Sequence, residues 1–348
     1  MKPASIIEHY EAPFKAKYED RLPPGQLRAI EAMKRCRTPD AGEVLWHCSE
    51  CAEQFKHPRS CGHRSCPQCQ NHEATQWLER QREKLLPVEY FMVTFPLPYA
   101  LRGLAWCHQK HVYSLLLATA AGTLKDFGLD SKRLCSEIGM TTVLHTHSRS
   151  LDYHPHCHVI VPGGGVDRAT RQWKKAKGKY LFNAFALAKV FRARFLAAIK
   201  AEGPPIPDVP EKWVVHCKHI AKGRPALEYL SRYLYRGVIG ESHIVADRDG
   251  LVTFRYTQGT TGETRYRTLR GEDFLWLVLQ HVLPKGFRRV RDYGFLHGNA
   301  RRLLTLVQLV LQVVIEAAAP KPRPAVHCPK CRSTMHVIAV FSPAGQSG

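Results

Sequence analysis

The sequence has few acidic residues for its size. It contains 30 Asp and Glu against 51 Lys and Arg in 348 residues, which gives a formal net charge of +21. The excess is spread along the chain and is not confined to one tail, so we expect a broadly electropositive surface. A polyanionic partner is therefore indicated, with nucleic acid as the first candidate and an anionic membrane as the second.

The sequence also lacks the apolar segments of secreted and membrane-spanning proteins. Residues 1–20 hold charges and Pro13 where a signal peptide would have an apolar core. The longest apolar stretch, residues 303–319, carries Gln308, Gln312 and Glu316 at every fourth position, as an amphipathic helix does. We therefore expect a soluble, intracellular protein in a reducing compartment, without a membrane partner.

The twelve cysteines are clustered along the chain. Cys48 and Cys51 form one Cys-Xaa-Xaa-Cys pair, and Cys66 and Cys69 form a second pair, with fourteen residues between the two pairs. Paired cysteines in a chain of this length are typical of metal sites and not of a disulfide framework. The spacing predicts one tetrahedral, four-cysteine structural zinc site in the N-terminal region.

Further donor side chains accompany these pairs. Cys61 is an alternate ligand for the N-terminal zinc site, and His47 and His63 are spare donors. Cys328 and Cys331 form another pair near the end of the sequence, which is half of a metal site. They belong either to a short zinc knuckle or to a tail with two thiols.

Histidines alternate with other residues in the segment His154-Pro-His156-Cys-His158, which leads into the apolar run 159–161. Alternate residues of a strand share a face, so we expect the three imidazoles on one side and Cys157 in the core. Imidazoles one pleat apart can hold one metal ion through their nitrogens. The alternative is a set of solvated histidines on an exposed face, and the pattern favours the metal.

Tyrosines and arginines recur at helical spacing in residues 229–236. On a helix, Tyr229 and Tyr233 lie on one face, flanked by Arg232 and Arg236. A tyrosine hydroxyl has a pKa of about 10 and is a weak nucleophile until it is activated or its target is polarised. Arginines can bind phosphate with two hydrogen bonds. Because aromatic residues at this spacing are usually core residues, the segment alone does not indicate catalysis.

Together these motifs resemble the two-tyrosine HUH transposases of rolling-circle insertion sequences, in which HUH denotes two histidines around a hydrophobic residue. Members of this family carry an N-terminal zinc-binding region. The resemblance covers nearly the whole chain and depends on the order of several segments, namely residues 60–70, 91–98, 144–146, 154–165, 229–233 and 283–287.

The resemblance implies both the activity and the residues that perform it. His156 and His158 correspond to the HUH pair, which implies Mg²⁺ or Mn²⁺ as the catalytic cofactor. Tyr229 and Tyr233 correspond to the nucleophiles, which form 5′-phosphotyrosine links to single-stranded DNA. Arg232 and Arg236 are accordingly expected to bind phosphate or DNA.

One departure from the family pattern concerns the third metal ligand. The family commonly has a Trp-Gly-Gln-like run after the Leu-His-Thr segment, whereas this chain has His-Ser-Arg at residues 147–149. The third ligand is therefore open between His145 and His154.

We expect an α+β fold, because strands and helices mix with short connections in the middle of the chain. The resemblance implies an HUH-endonuclease palm with a central antiparallel sheet flanked by helices, plus a small N-terminal zinc-binding domain. We expect a zinc-binding DNA-recognition domain at residues 1–85 and a catalytic domain at residues 86–260. A helical part of the catalytic region is expected at residues 261–319, followed by a linker with a Cys-containing tail at residues 320–348.

Other functions use overlapping features. A plasmid-type replication initiator or relaxase has the same chemistry, and a metal-dependent hydrolase could also use three histidines on a strand. A non-catalytic, zinc-containing DNA-binding protein would leave its DNA intact. The transposase interpretation implies DNA as the partner, in the bacterial cytoplasm and close to the nucleoid. Nothing in the sequence indicates an oligomeric state.

Overall fold

The computed structural model describes residues 3–66, 68–69, 71–202, 204–223, 225, 238–259, 261–314 and 325–342. The helices are α1 (Pro3–Tyr18), α2 (Pro24–Lys34), α3 (Asn71–Arg82), α4 (Arg102–Cys107), α5 (Gln109–Leu129), α6 (Ala184–Glu202), α7 (Gly271–Leu279) and α8 (Arg301–Val310). The strands are β1 (Glu43–Cys48), β2 (Gln54–Pro58), β3 (Glu89–Pro96), β4 (Met140–His147), β5 (Tyr153–Pro162), β6 (Gly164–Asp167), β7 (Gln172–Lys175), β8 (His216–Lys222), β9 (Ile244–Arg248), β10 (Leu251–Thr257), β11 (Thr264–Arg270), β12 (Val290–Tyr293) and β13 (Met335–Phe341).

The chain divides into two compact units, and each is discontinuous in sequence. The first unit comprises the described residues of Met1–Glu73, Arg236–Val282 and Glu316–Gly348. The second unit comprises the described residues of Ala74–Tyr235 and Leu283–Ile315. The four consecutive segments expected from the sequence stay predictions.

A five-stranded antiparallel sheet forms the centre of the second unit, in the order β12-β4-β5-β3-β8. The predicted histidine strand is β5, and it occupies the middle position. The expected central strand of an antiparallel sheet is thus confirmed. The hairpin from β4 to β5 positions the two neighbouring strands directly, because the connection between them is short.

One face of this sheet is covered by α5 and α6. Cys157 lies opposite both Leu144 and Phe95, and all three side chains are buried. The Phe95 ring packs against Phe191 of α6, with 4.8 Å between the ring centroids. Alternation along β5 therefore sends the residue between the two histidines into the hydrophobic core, so the histidines occupy the opposite face.

The first unit contains two small antiparallel sheets, β13-β1-β2 and β9-β10-β11. Helix α1 packs along α7, where Tyr18 stacks on Trp276 at 4.6 Å between ring centroids. The Tyr10 hydroxyl donates a 2.5 Å hydrogen bond to Asp247. These contacts join distant parts of the sequence, which is why the unit is not a continuous segment.

The α+β class predicted from the sequence is confirmed, since helices and antiparallel sheets occur together in both units. The cysteines expected near the N-terminus also lie together in clusters of the first unit. Among the described residues, every helix falls short of the length and apolar character that a bilayer crossing requires.

The position after β12 requires glycine, which gives a test of the fold. Gly294 has a φ of +60°, and a Cβ placed there would lie 1.8 Å from the carbonyl oxygen of Ile138. We expect Gly294→Ala to lower the free energy of unfolding by more than about 2 kcal/mol, since both the backbone and the neighbour must move. Gly298→Ala has open space around its Cβ and is the matched control. Equal denaturation midpoints for the two variants would contradict this register of β12.

Candidate active site and metal centres

Strand pairing brings three histidines to one place on the sheet. His156 of β5 lies directly opposite His145 of β4. His158, two residues further along β5, lies opposite Thr94 of β3. Directly opposed residues share a face of an antiparallel sheet, so all four side chains lie on the same side.

The imidazoles are close enough to share one ion. The Nε2 atoms of His156 and His158 are 3.0 Å apart. The ring of His145 lies 5.3 Å from that of His156 and 4.6 Å from that of His158, measured between centroids. One nitrogen from each ring lies within 4.8 Å of the others. Metal–nitrogen bonds of about 2.1 Å are compatible with ligand nitrogens at such separations.

Hydrogen bonds hold two of the rings in the orientation that a metal ligand needs. His156 Nδ1 donates to the carbonyl oxygen of His154 at 2.7 Å. His158 Nδ1 lies 3.0 Å from the hydroxyl of Thr94. Each contact occupies Nδ1 and directs Nε2 into the cluster, which is how outer partners fix the tautomer of a ligating histidine.

The site keeps its histidines uncharged. Burial lowers the pKa of His145 and His156 well below the usual range, and the neighbouring imidazoles lower it further. Burial also lowers the pKa of His158, to about 4. A neutral imidazole offers a lone pair, which is the form that binds a metal.

The two candidates for the third ligand lie in different surroundings. His145 belongs to the cluster with the HUH pair, whereas His154 faces Arg102, whose guanidinium lies 2.6 Å from His154 Nδ1. That arginine also lowers the pKa of His154, second to burial. His154 therefore contributes its backbone carbonyl to the site, through His156, while its side chain points to a cation.

The expected nucleophiles and phosphate-binding arginines lie outside the described residues. These are Tyr229, Tyr233, Arg232 and Arg236. Their predicted position near the histidines, and the helix expected for them, stay predictions.

The N-terminal cysteines form a cluster that the sequence pattern only partly indicated. Cys36, Cys61, Cys66 and Cys69 offer sulfurs within 4.8 Å of one another. Cys36 Sγ lies 3.5 Å from Cys69 Sγ and 3.6 Å from Cys66 Sγ. Cys61, the alternate ligand, is thus a member, and Cys36 was missed because no second cysteine stands at pair spacing beside it.

The predicted grouping of Cys48 and Cys51 with the second N-terminal pair is wrong. Both instead lie with Cys328 and Cys331, in a separate cluster of the first unit. The reason is strand pairing, because β13 lies alongside β1 and carries the late pair to the end of that strand. The single Cys-Xaa-Xaa-Cys pair at Cys328 and Cys331 did indicate a distant partner, since half of a metal site needs a second pair to complete it.

Four thiols around one point suit Zn²⁺, which prefers tetrahedral sulfur ligands. Burial is the main reason that the pKa of Cys36 rises to about 11. A thiol in such a place ionises when a cation binds, so metal binding and the local fold are coupled.

The membership of Cys36 can be tested by counting zinc. We expect Cys36→Ser to lower the zinc content of the purified protein by about one equivalent, because a tetrahedral site loses one of its four ligands. Cys107→Ser changes an exposed cysteine outside the clusters and is the control. Zinc content measured by plasma mass spectrometry that is equal in the parent and in Cys36→Ser would remove this residue from the site.

Comparison with protein families gives two matches along the chain. Residues 6–97 match the family described as "Transposase zinc-binding domain". Residues 139–204 and 206–303 match the family described as "Putative transposase". The second match contains the three clustered histidines, and the first contains the Cys36 cluster.

Two bacterial relatives align with nearly the whole chain. "Putative transposase y4qJ" of Sinorhizobium fredii is 32% identical over 97% of this chain and 95% of its own length. "Transposase for insertion sequence element IS801" of Pseudomonas savastanoi pv. phaseolicola is 27% identical over 91% of this chain and 82% of its own length. No solved structure matches the chain.

The family resemblance seen in the sequence is thereby confirmed over both the zinc-binding part and the part with the histidine strand. The chain belongs to the transposases of rolling-circle insertion sequences that carry an N-terminal zinc-binding domain.

Proposed function

We propose that this transposase cleaves and rejoins single-stranded DNA through 5′-phosphotyrosine intermediates. His145, His156 and His158 hold a divalent ion, and Tyr229 and Tyr233 are the nucleophiles. The observation that carries the proposal is the three-imidazole cluster formed by the central strand β5 and its neighbour β4. The HUH-endonuclease palm is the fold that this arrangement fits.

The donor set indicates which ion fits. Among the described residues, the histidine cluster offers three nitrogen ligands, one from each imidazole, and contains no carboxylate. Mg²⁺ prefers oxygen ligands, whereas imidazole suits softer transition ions, so of Mg²⁺ and Mn²⁺ the site favours Mn²⁺. When bound, such an ion supplies Lewis-acid polarisation of a phosphate oxygen.

The chain is long enough to bring the tyrosines to the histidines. Thr94 lies opposite both His158 and His216, so His216 is level with the cluster. Strand β8 continues six residues to Lys222, about 20 Å away at 3.3 Å per residue. Tyr229 follows seven residues later, a reach of about 23–25 Å. The connection therefore permits Tyr229, and Tyr233 beyond it, to return to the cluster.

The reaction conserves the energy of the phosphodiester bond. A tyrosine oxygen attacks phosphorus and loses its proton, while the bond from phosphorus to the 3′-oxygen breaks and that oxygen takes up a proton. The products are a 5′-phosphotyrosine and a free 3′-hydroxyl. A second 3′-hydroxyl then attacks the phosphotyrosine and releases the tyrosine, so rejoining needs no nucleotide cofactor.

Two nucleophiles suit the transfer of a strand from donor to target. One tyrosine holds the first DNA end while the other performs the second transfer at the same metal site. Arg232 and Arg236 are proposed to hold phosphates beside the tyrosines, since guanidinium binds phosphate with two hydrogen bonds.

Exposed aromatic and basic side chains near the cluster support a single-stranded substrate. Tyr99 is 80% exposed, and the Arg102 guanidinium lies 5.0 Å from its ring centroid. The same arginine contacts His154, which holds His156 through its carbonyl. An exposed ring with a neighbouring cation can stack on an unpaired base and attract its phosphate. The net charge of +21 favours the same polyanion.

The rival functions make different products. A replication initiator or relaxase would use the same chemistry, but the family matches favour the transposase. A hydrolase would cut DNA without a covalent protein adduct, and a non-catalytic DNA-binding protein would leave it whole. The expected site of action is the bacterial cytoplasm, close to the nucleoid.

The third ligand can be tested by metal binding. We expect His145→Ala to weaken Mn²⁺ binding by at least about tenfold, because it removes a nitrogen ligand. His154→Ala should change the affinity by less than about threefold, since its imidazole faces Arg102. Mn²⁺ titration followed by electron paramagnetic resonance measures both. The opposite order of the two variants would show that His154 is the ligand.

The nucleophiles can be tested by removing single hydroxyl groups. We expect Tyr229→Phe and Tyr233→Phe each to abolish transposition, because two transfers need two nucleophiles. At least one single variant should still form a covalent adduct with labelled single-stranded DNA from the element ends, and the double variant should form none. Tyr235→Phe is the control and should behave like the parent protein. An adduct that persists in the double variant on a denaturing gel would exclude both tyrosines as the nucleophiles.

A further inference from the structure

We propose that Cys48, Cys51, Cys328 and Cys331 form a second structural zinc site, so that the protein binds two zinc ions. We name this group the ribbon cluster. It has no cysteine in common with the Cys36 cluster. Two distant segments of the sequence form it, since Cys51 and Cys328 are 277 residues apart.

The sulfur distances fit a zinc ion. Cys48 Sγ lies 3.4 Å from Cys331 Sγ, and Cys51 Sγ lies 3.5 Å from Cys328 Sγ. A tetrahedral site with zinc–sulfur bonds of about 2.3 Å has sulfurs about 3.8 Å apart. A disulfide needs about 2.05 Å, so the four sulfurs surround a common point and are not joined in pairs.

The two segments form the same kind of turn. The amide of Cys48 donates to the carbonyl of Glu53 at 2.9 Å, and the amide of Cys328 donates to that of Ser333 at 2.8 Å, with four residues between the partners in both turns. The residue after the second cysteine has a positive φ in both turns, +54° at Ala52 and +66° at Arg332.

The strand pairs that flank the turns also correspond. His47 pairs with Gln54 before and after the first turn, and His327 bridges to Thr334 around the second. Each segment is therefore a short hairpin that presents two sulfurs from its turn. Two hairpins of this kind facing one another make the closed four-cysteine arrangement of a structural zinc site.

The surroundings of the ribbon cluster also call for a metal. The buried core around these sulfurs consists of Cys48, Cys328 and Met335. Trp46 and Phe55, which are partly buried, pack against it. A three-stranded sheet with so small a core lacks the apolar area to fold unaided. Zinc binding supplies folding free energy to small sheets of this type.

The proposed zinc has a consequence for the architecture of the first unit. Strand β13 pairs with β1 through Cys48 opposite Met335 and His47 opposite His336. Zinc at the ribbon cluster would stabilise this strand pairing. Cys328 and Cys331 would then be part of the zinc-binding domain. They lie outside the residues that match the zinc-binding family, 6–97.

Metal counting on the full-length protein tests the proposal. We expect native mass spectrometry of the parent protein to show two zinc ions. Cys48→Ser with Cys51→Ser should lose one ion, and Cys328→Ser with Cys331→Ser should also lose one. The variant with all four changes should still lose only one, because both pairs would hold the same ion. Cys107→Ser with Cys135→Ser changes exposed cysteines outside both clusters and should keep two.

A spectroscopic measurement on the parent protein does not depend on whether a variant folds. After exchange of zinc for ¹¹³Cd, two nuclear magnetic resonance signals in the range of four-thiolate coordination are expected. A single such signal, or one zinc ion in the parent, would overturn the proposal. Two ions retained after the loss of Cys328 and Cys331, or two ions lost in the fourfold variant of the ribbon cluster, would also overturn it.

Discussion

The pairing of β5 with β4 on one side and β3 on the other is the constraint on which the candidate active site depends. Register sets His156 opposite His145 and His158 opposite Thr94, so a shift of one residue would turn the histidines into the core. Burial of Cys157 on the other face fixes that register, since its position between Leu144 and Phe95 belongs to the hydrophobic core. The buried residue between His156 and His158 thus holds the two proposed metal ligands in place.

Zinc has a different part in the molecule from the ion that we propose at the histidines. The Cys36 cluster is closed by four sulfurs and offers no position to a substrate, whereas three imidazoles leave coordination positions open. The first arrangement stabilises a small unit, and the second suits chemistry on phosphate. In the mechanism that we propose, structural and catalytic metal binding therefore differ in both ligand type and ligand number.

Local patterns predicted much of the candidate site. Period-two spacing was enough to place His156 and His158 on one face of a strand, and the family resemblance added His145 as one of two choices. The pairing of β13 with β1 could not be predicted, because the two strands lie at opposite ends of the sequence. Nothing in the residues of β13 indicates which strand it pairs with. That is why Cys48 was grouped with Cys66, its neighbour in sequence, and why Cys36, alone in its segment, was missed.

The central claim is that a tyrosine hydroxyl beside the histidine cluster becomes covalently attached to the 5′ end of a cut DNA strand. Tandem mass spectrometry of the protein, after incubation with single-stranded element ends and Mn²⁺ and then nuclease digestion, tests it most directly. We expect a nucleotide phosphate on Tyr229 or Tyr233. Cleaved DNA without any covalent adduct, or an adduct on another residue, would contradict the proposed chemistry.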